Sequence, residues 1–188
     1  MKTRILTLVV LFIVATVTTA FAQDKKINVE KSSINWTGYK VTGQHEGTID
    51  FKEGTLNFKN GKLVGGTFII DMTTINTIDL SGDSKKSLDG HLKSDDFFDT
   101  TKYPEAVLKF RKVVETDDNL YRVAANLTIK GNTSPITFDI ELEEDIAEAG
   151  LKIDRTKFGI KYKSASFIDG LKDKAIKDEF DLNVTLKF

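Results

Sequence analysis

The last nine residues, Phe180-Asp181-Leu182-Asn183-Val184-Thr185-Leu186-Lys187-Phe188, alternate apolar and polar side chains without interruption. A repeat of two puts every apolar group on one face of an extended chain, as in a strand buried on one side only. Such a strand needs neighbours, because a bare apolar edge recruits other chains. Upstream runs supply them. Ile136, Phe138, Ile140 and Leu142 alternate in the same way, as do Tyr121 to Ile129 and, before these, Ala106, Leu108 and Phe110. Leu151, Ile153 and Arg155 lead to Phe158-Gly159-Ile160, and Leu63 to Ile78 carries Phe68, Ile70 and Met72.

Turn chemistry joins these runs. Asn60-Gly61 is the strongest hairpin signal, because both central positions of a type I′ turn need positive φ. Gly131-Asn132, Thr116 to Asn119 and the acidic Glu143 to Gly150 read as further turns. In His45 to Phe58, Glu53-Gly54 shifts the phase of Ile49, Phe51, Leu56 and Phe58, which suggests a turn or a bulge. Ile27 to Val41 fits two strands or one bent strand. The count is about eight strands joined mostly by hairpins, and closing such a sheet on itself removes both edges. The expected fold is therefore all-β, an eight-stranded antiparallel up-and-down barrel. A two-sheet sandwich satisfies the same periodicity.

The alternation fails in Leu88 to Pro104, LDGHLKSDDFFDTTKYP. Ser84 or Ser87 can cap a short helix, with Leu88, His91, Leu92 and Asp95 on one face. Phe97 and Phe98 follow as a bulky pair, and Tyr103-Pro104 ends the segment by favouring an extended residue before the proline. One short helix closing or flanking the barrel is expected. Ser164 to Asp178 is the other irregular segment.

Residues 1–22 read as a cleavable signal peptide: Lys2 and Arg4, an apolar run from Ile5 to Val17, then Ala20-Phe21-Ala22. The apolar run is too short to read as a stable membrane span. The chain is expected to be exported, to the periplasm where the source has an outer membrane and otherwise to the medium. Residues 23–188 form one domain of ordinary size. Without the leader the formal charge moves from −1 to −3, and nothing global points to nucleic acid or an anionic surface. The absence of cysteine excludes disulfides. Two histidines, His45 and His91, would need carboxylate partners to hold a metal, and no metal or cofactor is expected.

The run Leu88 to Asp99 with Tyr103-Pro104 resembles the signature of the YceI-like family of lipid- or polyisoprenoid-binding proteins, roughly D-x-H-L-x-S-x-D-F-F-D then Y-P. Ile34-Asn35-Trp36, Gly43 to Gly47, Leu127 to Gly131 and Arg155 to Gly159 match further in order. The chain departs from the pattern at Lys86, Ser87 and Gly90. The resemblance implies a lipocalin-like barrel in an exported protein, with a long apolar chain in its lumen and a polar head near the mouth. Family members are often described as periplasmic and associated with stress, and some bind isoprenoid quinones or prenyl phosphates.

An eight-stranded barrel can be filled by side chains or hold one slender ligand. Glycines in or beside strands lean toward a lumen, and equally mark bulges. The lining expected on this reading is Trp36, Gly47, Ile49, Phe51, Gly65, Phe68, Ile70, Phe97 and Phe138, with faces exchanged if the register slips by one. On it, phenylalanine at Gly65 or Gly47 would block uptake. A prenyl chain of about 40 carbons, at roughly 0.3 kcal/mol per heavy atom, could bind in the nanomolar range without a charged anchor. Head-group donors would come from His45, His91, Arg155 or Lys40, each of which also fits a structural or solvated role.

Enzymatic chemistry has no support here: there is no Gly-x-Ser-x-Gly elbow, Cys nucleophile or HExxH helix. The expectation is a non-enzymatic carrier or sink for a long-chain isoprenoid or fatty lipid. An envelope-structural or protein-interaction barrel with a filled core is the alternative, and self-pairing as a homodimer stays open.

Overall fold

The computed structural model describes residues 22–188. Apart from Ala22, the expected leader lies outside these residues. Nine strands and one α-helix follow: β1 (Ala22–Lys26), β2 (Ser33–Lys40), β3 (Gly43–Lys59), β4 (Lys62–Thr77), α1 (Gly82–Lys93), β5 (Glu105–Asp117), β6 (Leu120–Ile129), β7 (Asn132–Glu143), β8 (Ile146–Asp154) and β9 (Ile176–Lys187). Strands β2 to β9 form a closed antiparallel ring, sealed where β9 pairs with β2 from Ser33↔Thr185 to Gly38↔Phe180. That pairing decides for a barrel over a sandwich.

The run Ile27 to Val41 holds a break rather than a bend. The Asn28 side chain accepts from the Lys31 amide at 3.2 Å, and Ser32 Oγ donates to the Asn28 carbonyl at 2.8 Å, winding one turn between β1 and β2. Both strands then share β3: β2 pairs with Gly43 to Ile49, and β1 with Thr55 to Lys59. The phase shift near Glu53 is a bulge. Phe51 faces Ile70 and Glu53 faces Ile69, so Lys52 is the extra residue, and the inward set moves from Ile49 and Phe51 to Leu56 and Phe58. Asn60 and Gly61 have φ of 53° and 78°, the two left-handed positions that a type I′ hairpin demands.

Two faults in the ring lie at the end where α1 sits. β4 pairs with β5 only through Thr67 to Asp71, so its last residues, still paired with β3 at Asn76 and Thr77, have no strand on their other side. There Pro104 O accepts from the Met72 amide at 2.9 Å, and Asp89 Oδ1 of α1 accepts from the Thr77 amide at 2.8 Å. β7 and β8 pair only between Ile140–Glu143 and Ile146–Ala149. The turn Arg155–Phe158 and Ile160 occupy the splayed part, with Phe158 and Ile160 buried and Asn132 Nδ2 donating to Phe158 O at 3.0 Å.

The helix differs from its expected form. It begins at Gly82, preceded by Ser81, not at Ser84 or Ser87, and Asp95 lies beyond its end. None of its residues is fully buried. It flanks β4, and Phe97 and Phe98, just past it, do the covering.

Candidate functional site

The barrel interior divides into two halves. Away from α1, Phe51, Phe68, Phe110 and Phe138 form a belt with successive ring centroids 6.0, 5.7 and 5.8 Å apart. These rings follow one another around the wall on β3, β4, β5 and β7, and Trp36, expected to line a tunnel with Phe51, Phe68 and Phe138, borders the other half instead. Only about 70 Å³ remains open beside them. Toward α1 a cavity of about 140 Å³ is left. Ile34, Ile70, Leu127 and Leu182 border both spaces and form the neck between them.

The wall of the larger cavity is drawn from around the ring, Ala106 of β5 and Leu127 and Ile129 of β6 included. β2 and β3 give Trp36, Gly38, Tyr39 and Ile49; β4 gives Ile70, Met72 and Ile75; the α1 region gives Leu92, Phe97 and Phe98; β9 gives Ile176, Phe180 and Leu182. Its rim lies where the register between β2 and β9 breaks, for Gly38 pairs with Phe180 but Lys40 with Ile176, and the three residues Lys177 to Glu179 stand opposite Tyr39 alone. Gly38 faces this rim, and a Cβ placed on it would meet nothing within 4 Å.

Of the expected lining, Trp36, Ile49, Ile70 and Phe97 border the larger cavity, and Phe51, Phe68, Ile70 and Phe138 the smaller. Gly47 borders neither. The Trp36 indole lies on it, with Nε1 donating to Thr48 O at 3.2 Å, and a Cβ at 47 would collide with that ring and the Asn76 carbonyl. Phenylalanine there would break the packing before it could block anything. At Gly65 a Cβ would meet the side chain of Asn57, which bonds Asp24 of β1 on the exterior; Gly66 is the neighbour that faces Phe68 and Phe110 inside. The one-residue offset changes the face, as the pleat requires.

The four polar positions are dispersed. Lys40 is exposed beside the rim. His45 Nδ1 sits 2.8 Å from Asp79 Oδ2 on the outer surface. Burial pushes the Asp79 carboxyl up, but hydrogen bonds from His45 and the Glu46 amide outweigh it and hold it below the usual carboxylate range. His91 packs against Tyr162 with centroids 4.4 Å apart and the rings tilted at 55°, and its buried Nε2 has no hydrogen-bond partner; it does not border the cavity.

Arg155 does border it, but each of its three nitrogens has a partner within the protein. It is 2% exposed, and Nε donates to Lys177 O at 3.0 Å, Nη1 to Ile160 O at 2.9 Å and Nη2 to Ile176 O at 3.0 Å. Nη2 also lies 3.5 Å from Asp178 Oδ1, and the guanidinium carbon stands 5.6 Å from the Phe97 ring centre. Burial lowers the Arg155 pKa against the opposing pull of Asp178 and Asp154. Burial also raises Asp178, yet the Ser164 and Ser166 hydroxyls and the Arg155 charge leave its carboxyl below the ordinary value. This arginine braces the rim by tying β8 to the start of β9. The wall left for a ligand is almost wholly apolar. Phe180 and Leu182 belong to it and were legible only as strand residues, and Gly38 only as one of several strand glycines that lean toward a lumen, since the alternation marked their face but not which part of the barrel stays empty.

The comparisons agree with this architecture. A family model described as YceI-like domain matches residues 26–188. Protein YceI of Shigella flexneri is 38% identical over 69 residues, 37% of this chain and 35% of that protein. The matched stretch thus spans about a third of the curated relatives' length. BcnA of Burkholderia cenocepacia superposes with a TM-score of 0.67 at 19% identity, over 85% of this chain and 98% of its own. A polyisoprenoid binding domain from Saccharophagus degradans, implicated in plant cell wall breakdown, superposes at 0.56 with 16% identity, over 86% and 95%.

Proposed function

The chain belongs to the YceI-like domain family, and from that premise we propose that it is a non-enzymatic lipid-binding barrel, exported from the cell, whose lumen takes the end of an isoprenoid or similar apolar chain. In a cell with an outer membrane its place would be the periplasm. The observation that carries this reading is the apolar cavity of about 140 Å³ behind the break in register between β2 and β9. A dry apolar void is costly unless something fills it, and its lining offers dispersion contacts to a hydrocarbon and few hydrogen bonds to water.

Size sets the form of the ligand. An apolar cavity of about 150 Å³ admits one benzene, so the larger space holds roughly six carbons and both spaces about ten. A prenyl chain of about 40 carbons therefore has its end inside, past Ile34, Ile70, Leu127 and Leu182, and its remainder at the rim. With Arg155 occupied, affinity comes from the apolar chain and not from a buried ion pair.

Calorimetric titration with a series of primary alcohols of rising chain length tests this. Each methylene should tighten binding about fourfold, from the ~0.8 kcal/mol of its burial, and the gain should level off near about ten carbons. Affinity independent of chain length would contradict the reading and favour a filled barrel that serves an envelope or protein contact.

A further inference from the structure

We infer that the loop between the turn Arg155–Phe158 and β9 docks the rim of the barrel onto an anionic phospholipid bilayer. Residues 157–177 carry six lysines, Lys157, Lys161, Lys163, Lys172, Lys174 and Lys177, against Asp169 and Asp173, a net charge of +4. The rest of residues 23–188 has 19 basic and 26 acidic side chains, a net charge of −7. The positive charge is concentrated in one segment of an otherwise acidic domain, and all but Lys163 of the six lysines are exposed.

The same segment presents apolar groups to solvent. Phe167 is 52% and Ile168 44% exposed, side by side, and Lys161 Nζ stands 4.3 Å from the centre of the Phe167 ring. Val41, 61% exposed, is tied to the end of the same loop, its amide donating a hydrogen bond to Ala175 O at 3.2 Å. The loop is built against the rim. Ser166 Oγ donates to Asp178 Oδ2 at 2.5 Å, the Ile176 amide donates to Lys163 O at 2.9 Å, and Lys177 itself borders the cavity.

Exposed aromatic and aliphatic tips in a lysine-rich segment suit a lipid headgroup layer, where the tips enter the acyl boundary and the ammonium groups meet phosphates. An acidic protein surface would match the lysines and leave Phe167 and Ile168 without a role. Docking itself rests on the loop, whereas its purpose rests on the lipid reading above. Seated on the bilayer, the rim lets a chain pass into the lumen without crossing water.

Flotation of the purified protein, in the form the cell produces, with vesicles of equal parts phosphatidylglycerol and phosphatidylcholine at about 0.1 M salt tests the inference. Partitioning should exceed that onto pure phosphatidylcholine and fall about twenty-fivefold in K172Q/K174Q, at about fivefold per lysine. F167S/I168S should lose the binding that survives added salt, and neither exposed pair should alter the melting temperature. Equal partitioning onto both vesicles, undiminished partitioning of both variants, or retention on a soluble polyanion without flotation would overturn docking. Lipid extracted from the same preparations separates the two readings. An empty lumen with intact flotation removes the lipid and leaves docking standing; a full lipid load in protein that does not float removes docking alone.

Discussion

Arg155 shows how a residue can be conspicuous in the sequence and still be structural. A cation among Ile153, Phe158 and Ile160 has to be paired, and three carbonyls with Asp178 pair it. Arg155→Ala leaves those acceptors and Asp178 bereft, and urea denaturation should show a loss of about 3 kcal/mol. Arg155→Lys should recover little of it, because one ammonium cannot serve carbonyls arranged around a planar fork. Gly38 makes the opposite case. Its missing side chain borders open space, so Gly38→Phe should melt no lower than the parent while cutting lipid uptake at least tenfold in a fluorescent fatty-acid titration; unchanged uptake would move the entrance elsewhere. Neither role was readable from residue type. Burial against three carbonyls and vacancy beside Gly38 are products of strands far apart in sequence.

At the scale of the element, α1 is fastened by chemistry rather than by an apolar face. Lys85 Nζ reaches Asn76 Oδ1 at 2.6 Å, Thr77 O at 2.5 Å and Asp89 Oδ2 at 2.9 Å, while Asp89 Oδ1 takes the Thr77 amide. Burial raises the Asp89 carboxyl, but hydrogen bonds from Thr77 and Lys85 leave it below its usual value. A carboxylate depressed in the folded chain contributes stability that is complete above the unfolded value near ~3.9 and is lost as pH falls through the folded one. Asp89→Ala should therefore cost about 1–2 kcal/mol at neutral pH and make the decline below about pH 4 shallower. Hydrogen exchange at the Thr77 amide and along α1 should quicken, and unchanged protection would show that the helix is held by other contacts. The helix was legible as a break in alternation, yet Ser84 and Ser87 drew its start too late. Ser81 precedes Gly82, whose φ of 59° turns the chain into the helix, and no apolar residue marks that first turn.

Across the whole molecule, the closed ring was legible because β9 announces two neighbours and Asn60-Gly61 fixes one register. What the alternation could not reveal is how far the interior is filled. Phe110 completes a belt with Phe51, Phe68 and Phe138 in one half, whereas Gly38, Ala106 and the break in register between β2 and β9 leave the other half open. Side-chain volume is distributed along the barrel axis, a direction that no single strand's periodicity records. The YceI-like motif at Leu88 to Pro104 falls on the segment that brings Leu92, Phe97 and Phe98 to the open half, so its conspicuous residues and the cavity belong together. Native mass spectrometry of the intact protein taken from the cells that make it tests most directly whether that half is a lipid site. A discrete excess mass that is released on denaturation, identifies as an apolar-chain lipid and is missing from Gly38→Phe is the predicted result; the bare polypeptide mass in repeated preparations would contradict it.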